Sequence, residues 1–461
     1  MDNVKLVARD LWNLAGLPTD ALRHLEFTGE SPLLPTSFHV ALAAQATIGT
    51  AALAAAEIGG LRGAHPGRVT VDKHDAEREC TGYFTLNGHM PDVWAPLSGL
   101  YPCADGHVRI HANFDHHRDG ALRLLGINKD PASVSKEQIT AALACWDAIA
   151  FETAAADAGL VVAAARTFRE WDQHPQAAAI REQPLISMTR IGSAKPIDNG
   201  RVPSAAPPLS GVRVLDLTRI LAGPVCGRTL AAYGADVMLV NSPNLPNIEA
   251  IAETSRGKRS VLLDLKTSDG PDLLRNLLAD AHVFIQGYRP GGLAALAFGA
   301  DDLAEMRPGI VVVSLSAYGN QGPWATRKGF DSLVQTATGF NHAEGEAAGV
   351  ARLQALPVQI LDYASGFLMT FGALAALRHQ MTEGGSWHVE VSLAQTAWWL
   401  RQLGRIDWSF SSADLALKAH AVAYPSGFGA MTAMPHAAGF SRVTPAWKIP
   451  SEPPGRHPPV W

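Results

Sequence analysis

The chain has 461 residues, of which 47% are hydrophobic and 18% charged, a balance that excludes a disordered chain and suits roughly two to four domains. A formal net charge of -5 and a pI near 6.4 leave no electrostatic footprint for nucleic acid, and basic clusters such as Arg256-Gly-Lys258-Arg259 are short. Cys80, Cys103, Cys145 and Cys226 are widely spaced without a CxxC pair, which argues against a disulfide framework or zinc knuckle and for a reducing cytoplasm.

In chain order, the N-terminus MDNVKLVARDLW has no charged-then-apolar signal pattern. The longest apolar stretches are Ala-rich, interrupted by Gly and shorter than a membrane span, so a soluble cytoplasmic protein with no membrane partner is expected. Residues 1–95 contain a helical segment, FHVALAAQATIGTAALAAAEIGGLRG (38–63), and then GRVTVDKHDA (67–76), whose alternation predicts a half-buried strand. Residues 96–195 read as a small α+β domain, with a turn signal in CADGHVRIHANF and amphipathic helices in ITAALACWDAIAFETAAADAG and TFREWDQHP. The Pro, Gly and Ser of KPIDNGRVPSAAPPLSG mark a linker at 196–209.

From 210 to 405 the pattern changes to strands separated by helical stretches: VRVLDLTRILAGPVCGRTLAAYGADVMLV, RSVLLDLK, AHVFIQGY and GIVVVSLSAYG. That alternation predicts an α/β fold, with a Rossmann-like parallel sheet covered by helices on both faces. The turn LAGPVCG lacks GxGxxG spacing and the second strand ends in Asn241 rather than a ribose-binding acid, so NAD is not expected. Residues 406–461, rich in Gly, Pro and Ser, are expected to wrap an edge of another domain.

Asp362 is the one acid in LQALPVQILDYASGFLMTFGALAALRH (353–379), where an extended run meets a helical segment. The simplest reading is a helix cap, because an Asp oxygen accepts a free N–H of the first turn. An internal repeat bears on this. Residues 46–76 align with 362–394, pairing Leu61-Arg62 with Leu377-Arg378 and, after two extra residues, Val71-Asp72 with Val389-Glu390. Asp362 then falls opposite Ala46, with Thr47 as the nearest alternative cap.

Six ordered blocks, LSGVRVLDLTRILAGPVCGRTLAAYGADVMLV, SRGKRSVLLDLK, GYRPGGLAALAFGADDL, RPGIVVVSLSAYGNQGP, KGFDSLVQTATGF and ILDYASG, resemble the large domain of the family III CoA-transferases. This group includes formyl-CoA and carnitine-CoA transferases and, as a relative, α-methylacyl-CoA racemase. YPCADGHVRIHANFDHHRDGALRLLG resembles the family's small domain, which normally follows the acid-bearing helix and strand. The module order here is permuted, with a partial duplicate of that helix and strand at the front and long linkers between modules.

The resemblance implies that Asp362 is the nucleophile of a CoA-transferase working through aspartyl anhydride and aspartyl-CoA intermediates. Holding the reactants in attack geometry can contribute roughly 7–11 kcal/mol, so an extensive CoA-binding surface is expected. The resemblance places Arg256, Lys258 and Arg259 near the nucleotide phosphates. It places Gly287, Tyr288 and Arg289 at the adenine end, with Gly287 where the family usually has Asn, and it brings Gly319, Gln321 and Gly322 toward the thioester. It also implies acyl-CoA and a small carboxylic acid as substrates, coenzyme A as substrate rather than resident cofactor, and a homodimer. Asn241-Ser242-Pro243 stands where the family typically has Glu followed by Pro, which keeps a non-catalytic CoA-binding homologue in view. Phe330 stands where racemase relatives carry a histidine base, which disfavours a racemase-type isomerase. Asp331 reads as a helix start or a second active-site acid. His111, His116 and His117 lack a companion cysteine or carboxylate cluster, so no metal is expected.

Overall fold

The computed structural model describes residues 2–64, 67–407 and 415–461. Residues 65–66, in the turn of the first repeat copy, and 408–414, in the predicted C-terminal extension, lie outside the described residues. In the N-terminal part, β1 (Leu25–Thr28) and β2 (Val69–Asp72) pair in parallel across the buried helix Val40–Leu61, and a helix, Lys73–Cys80, leads to β3 (Phe84–Leu86).

The small domain follows as an antiparallel sheet of β4 (Gly99–Pro102), β5 (His107–Ile110) and β6 (Val162–Ala164), with a core of its own around Tyr101, Val108 and Phe151. The long amphipathic stretch breaks into Lys136–Leu143 and Ala148–Asp157, because Asp147 is extended and Asp105 accepts the Ala148 N–H at 2.7 Å. The predicted limit of this domain at 195 needs correction. Already at β7 (Ser187–Gly192) the chain has left it and pairs antiparallel with a strand of the large sheet.

The large domain supplies β8 (Arg213–Leu217), β9 (Asp236–Asn241), β10 (Lys258–Leu262), β11 (Val283–Gln286), β12 (Val311–Ser316) and β13 (Ser386–Ser392). They form one seven-stranded sheet in the order β10-β9-β8-β11-β12-β13-β7, parallel except for β7. Apolar runs such as Val311–Val313 are buried against separate cores on the two faces, as a parallel sheet sandwiched by helices requires. The order reverses between β8 and β11, so the crevice beyond their carboxyl ends is where a ligand is expected.

Of the C-terminal strands, β14 (Val422–Tyr424) and β15 (Met431–Ala433) extend a sheet with β3, while β16 (Ala438–Phe440) pairs antiparallel with β2. The chain then runs along the open edge of β10. There Gly257 N–H donates to the Ile449 carbonyl and His457 N–H to the Ser260 carbonyl, both at 2.9 Å.

The repeat is real in space: β1, helix and β2 with β16 reproduce β12, helix and β13 with β7, and the two long helices pack on each other. The first helix starts at Val40, so Ala46 lies inside it, and Thr47 donates back to the Ala43 carbonyl at 2.8 Å instead of capping. Asp72 caps the helix after β2 as Ser392 caps the one after β13, so Asp72 corresponds to Ser392 and the insertion is longer than two residues. Both long helices, Val40–Leu61 and Ile360–Glu383, are by length and composition able to cross a membrane, contrary to the sequence reading. In this fold 89% and 100% of their most apolar stretches are buried inside the protein.

Candidate active site

The acid-bearing helix, Ile360–Glu383, begins after Gln359, whose side chain caps nothing, and Asp362 sits in its first turn with a free N–H to satisfy. That N–H donates at 2.9 Å to Oδ2 of Asp331, a 1% exposed residue at the start of the helix Asp331–Thr338. Asp331 is therefore a helix start, and its carboxylate also meets the backbone of Asp362. The cap is supplied from outside, and the Asp362 carboxylate is left to face a cavity.

A second helix N-terminus meets that carboxylate. The Ala222 N–H, first in the helix Ala222–Ala232, lies toward it and favours its charged form. The approach depends on Gly366, one turn after Asp362, where a Cβ would lie 2.6 Å from the Ala222 carbonyl oxygen. It also depends on a strained turn after β8, in which Ile220 has φ +79, a conformation that β-branched residues rarely adopt. Strain of this kind is retained where the surrounding structure over-determines it.

The cavity, about 390 Å³, opens at the carboxyl ends of β8, β11 and β12, the point of strand reversal. Asp362, Tyr288, Arg289 and Gly287 line it from the large domain, and Phe114, His116 and His117 close it from the small domain. Four cations, Arg219, Arg289, Arg327 and Lys328, share this lining; Arg327 reaches Glu152 at 3.5 Å, and among the described residues the other three are ion-paired with no carboxylate. Burial lowers the pKa of Arg219 and Lys328, the cost of holding unpaired cations where an anion can join them. Burial raises the Asp362 carboxyl well above its ordinary range and Asp331 adds to this, while Asp331 itself is pushed by burial up to about 7. Burial also lowers His111 to about 4 and His117 to about 3, so both imidazoles are neutral at pH 7. His111 stacks on Phe330, ring centroids 4.1 Å apart. Among the described residues no three His, Cys, Asp or Glu gather as a metal-holding group.

The other predicted contacts are placed elsewhere. Lys258 is fully buried, with Nζ 2.8 Å from Asp216 Oδ2 and from the Pro224 carbonyl. Gly227 permits that pair, since a Cβ there would lie 2.1 Å from Asp216 Oδ2. Arg256 is paired with Glu253, donates to the Met434 carbonyl at 3.0 Å and lies 3.9 Å over the Trp447 ring, beneath the C-terminal extension. Arg259 pairs with Asp236 at 3.0 Å. None of these three lines the Asp362 cavity. Gly319 lines an adjoining cavity of about 210 Å³ that shares Arg289 and Ser316 with the first. Gln321 and Gly322 instead form a turn against the small domain, with Gln176 donating to the Gln321 carbonyl at 2.7 Å.

Sequence reasoning missed Arg219, Ala222 and Lys328. All three lie in blocks already quoted, but nothing local distinguishes a residue that lines a cavity from one that does not.

Residues 209–415 match the family described as CoA-transferase family III. The succinate–glutarate CoA-transferase of Agrobacterium fabrum is 34% identical over 211 residues, 42% of this chain and 52% of that protein. An acyl-CoA transferase of Gibberella moniliformis is 30% identical over 316 residues, 64% of this chain and 55% of that protein. The crystal structure of a hypothetical protein from Mycobacterium tuberculosis aligns with 34% identity and a TM-score of 0.39, covering 43% of this chain and 58% of that one. The chain thus spans about half the length of the curated relatives it matches.

Proposed function

We propose, from the match of residues 209–415 to CoA-transferase family III and from the surroundings of Asp362, that the chain moves CoA from an acyl-CoA thioester to a carboxylic acid, with Asp362 as nucleophile. Ionised Asp362 attacks the thioester carbonyl, forming a mixed anhydride and expelling CoA thiolate. The thiolate attacks the aspartyl carbonyl, releasing the donor acid and leaving an aspartyl-CoA thioester. The acceptor carboxylate displaces the thiolate to give a second anhydride, and the thiolate then attacks the acceptor carbonyl, which yields the new acyl-CoA and frees Asp362.

The observation that carries this reading is a buried carboxylate relieved of capping by Asp331 and turned onto a cavity edged by unpaired cations. The cations suit an anionic thioester and an anionic acceptor, and the Ala222 N–H is placed to steady charge at the reacting carboxyl. The names of the relatives favour a small dicarboxylate as one substrate. Phe330, stacked on His111, has no proton to exchange, which supports transfer over racemisation. All four cysteines are free, in keeping with a cytoplasmic setting.

The test is to incubate the chain with a panel of acyl-CoAs, add hydroxylamine and examine the peptide carrying Asp362 by mass spectrometry. A hydroxamate at Asp362 is expected. CoA exchange that continues at its original rate in Asp362→Ala refutes the proposal.

A further inference from the structure

We infer that the small domain sets the position and the charge of the nucleophile through Asp331, with Arg109 as its positioning residue. This rests on the proposed role of Asp362. Asp331 does not line the cavity, so it acts through the N–H of Asp362 that it accepts at 2.9 Å. Asp331 is itself held by the Gln335 amide, and Gln335 Oε1 accepts the Leu356 N–H at 3.0 Å.

The small domain grips the same helix at three points. His111 stacks on Phe330, the residue before Asp331, with the ring planes 19° apart. Arg109, on β5, donates from Nε to Thr336 Oγ1 at 2.9 Å, one turn further along. The Arg166 N–H donates to the Thr336 carbonyl at 3.2 Å. Displacing the small domain therefore moves the group that caps the acid-bearing helix, and the nucleophile with it.

The same contacts govern charge. Two buried carboxylates this close oppose each other's ionisation, and a cation beside one of them favours that one's charged form. The groups around the pair are Arg109 and the neutral His111 from the small domain, Tyr363 on the acid-bearing helix, the Ala222 N–H from the helix opposite and, across the cavity from Asp362, Arg219, Arg289, Arg327 and Lys328 with His116 and the neutral His117. Arg109 is the cation that acts on Asp331.

The experiment compares the pH dependence of kcat/KM for CoA exchange in the full chain and in Asp331→Asn, Arg109→Gln and Arg109→Lys. Removing the like charge lets Asp362 ionise at lower pH, so Asp331→Asn moves the acidic limb down by about one unit. Removing the cation lets Asp331 hold its proton to higher pH and so eases the like-charge opposition to Asp362; Arg109→Gln therefore moves the limb down as well, by less than Asp331→Asn, and Arg109→Lys returns it most of the way. In all three, kcat falls while KM for acyl-CoA stays within about twofold, because neither residue touches the cavity. A loss of activity with the limb unmoved, or with either Asp331→Asn or Arg109→Gln moving it up, overturns the inference. Titration of the Asp362 carboxyl by carbon-13 NMR, assigned with Asp362→Asn, separates this from the transferase reading. Downward shifts in both Asp331→Asn and Arg109→Gln, in a chain that no acyl-CoA labels, would sustain the coupling and reject the transferase. Labelling at Asp362 with an unshifted titration would do the reverse.

Discussion

Replacing Lys258 with Met removes an ammonium that meets Asp216 at 2.8 Å with both side chains fully buried. Asp216 would keep the Thr218 N–H and hydroxyl but lose its counter-charge, and the Pro224 carbonyl would lose its donor. Breaking one side of a buried pair costs about 3–5 kcal/mol, because the remaining charge has neither partner nor water. At about 2–4 °C per kcal/mol for a domain of this size, the melting temperature should fall by roughly 6–20 °C. Circular dichroism melts check this, alongside KM for acyl-CoA measured where the variant is folded. The double replacement Asp216→Asn with Lys258→Met should recover most of the loss, since an uncharged buried pair leaves no charge uncompensated. A higher KM for acyl-CoA with an unchanged melting temperature would refute the reasoning, for Lys258 would then be meeting the substrate rather than Asp216.

Gly366→Ala places a methyl against the Ala222 carbonyl oxygen, so a loss of about 1–3 kcal/mol in denaturant unfolding is expected, with a fall in kcat as the Ala222 N–H is displaced from Asp362. Arg219→Gln and Lys328→Gln remove unpaired cations from the cavity lining, so each should raise KM for acyl-CoA or acceptor without lowering the melting temperature, as steady-state kinetics and a melt will show. Burial pushes the Glu79 carboxyl up, but His436 and Arg228 overcome this and hold it at about 2, below its ordinary 4.5. Its contribution to stability is thus complete above pH 4.5 and is lost as pH falls toward 2, so Glu79→Gln should flatten the stability profile in that window.

Much of the architecture was legible because it is written in local pattern. The apolar runs that became β8, β9, β11 and β12, with helical stretches between some of them, required a parallel sheet covered on both faces, and ordered motifs singled out Asp362, which the fold sets on a cavity. The repeat was legible too, because both copies must bury a helix between parallel strands. Local pattern gave no sign of the Asp331 contact to the Asp362 N–H, of the strained turn at Ile220, or of the cations gathered by three separate loops. Each of these joins residues far apart in the chain. Basic side chains look alike in sequence whether they are turned inward, as Lys258 and Arg256 are, or line a cavity, as Arg219 and Lys328 do. Which of them keeps an unspent charge depends on whether folding brings a carboxylate within reach, and only the tertiary structure decides that.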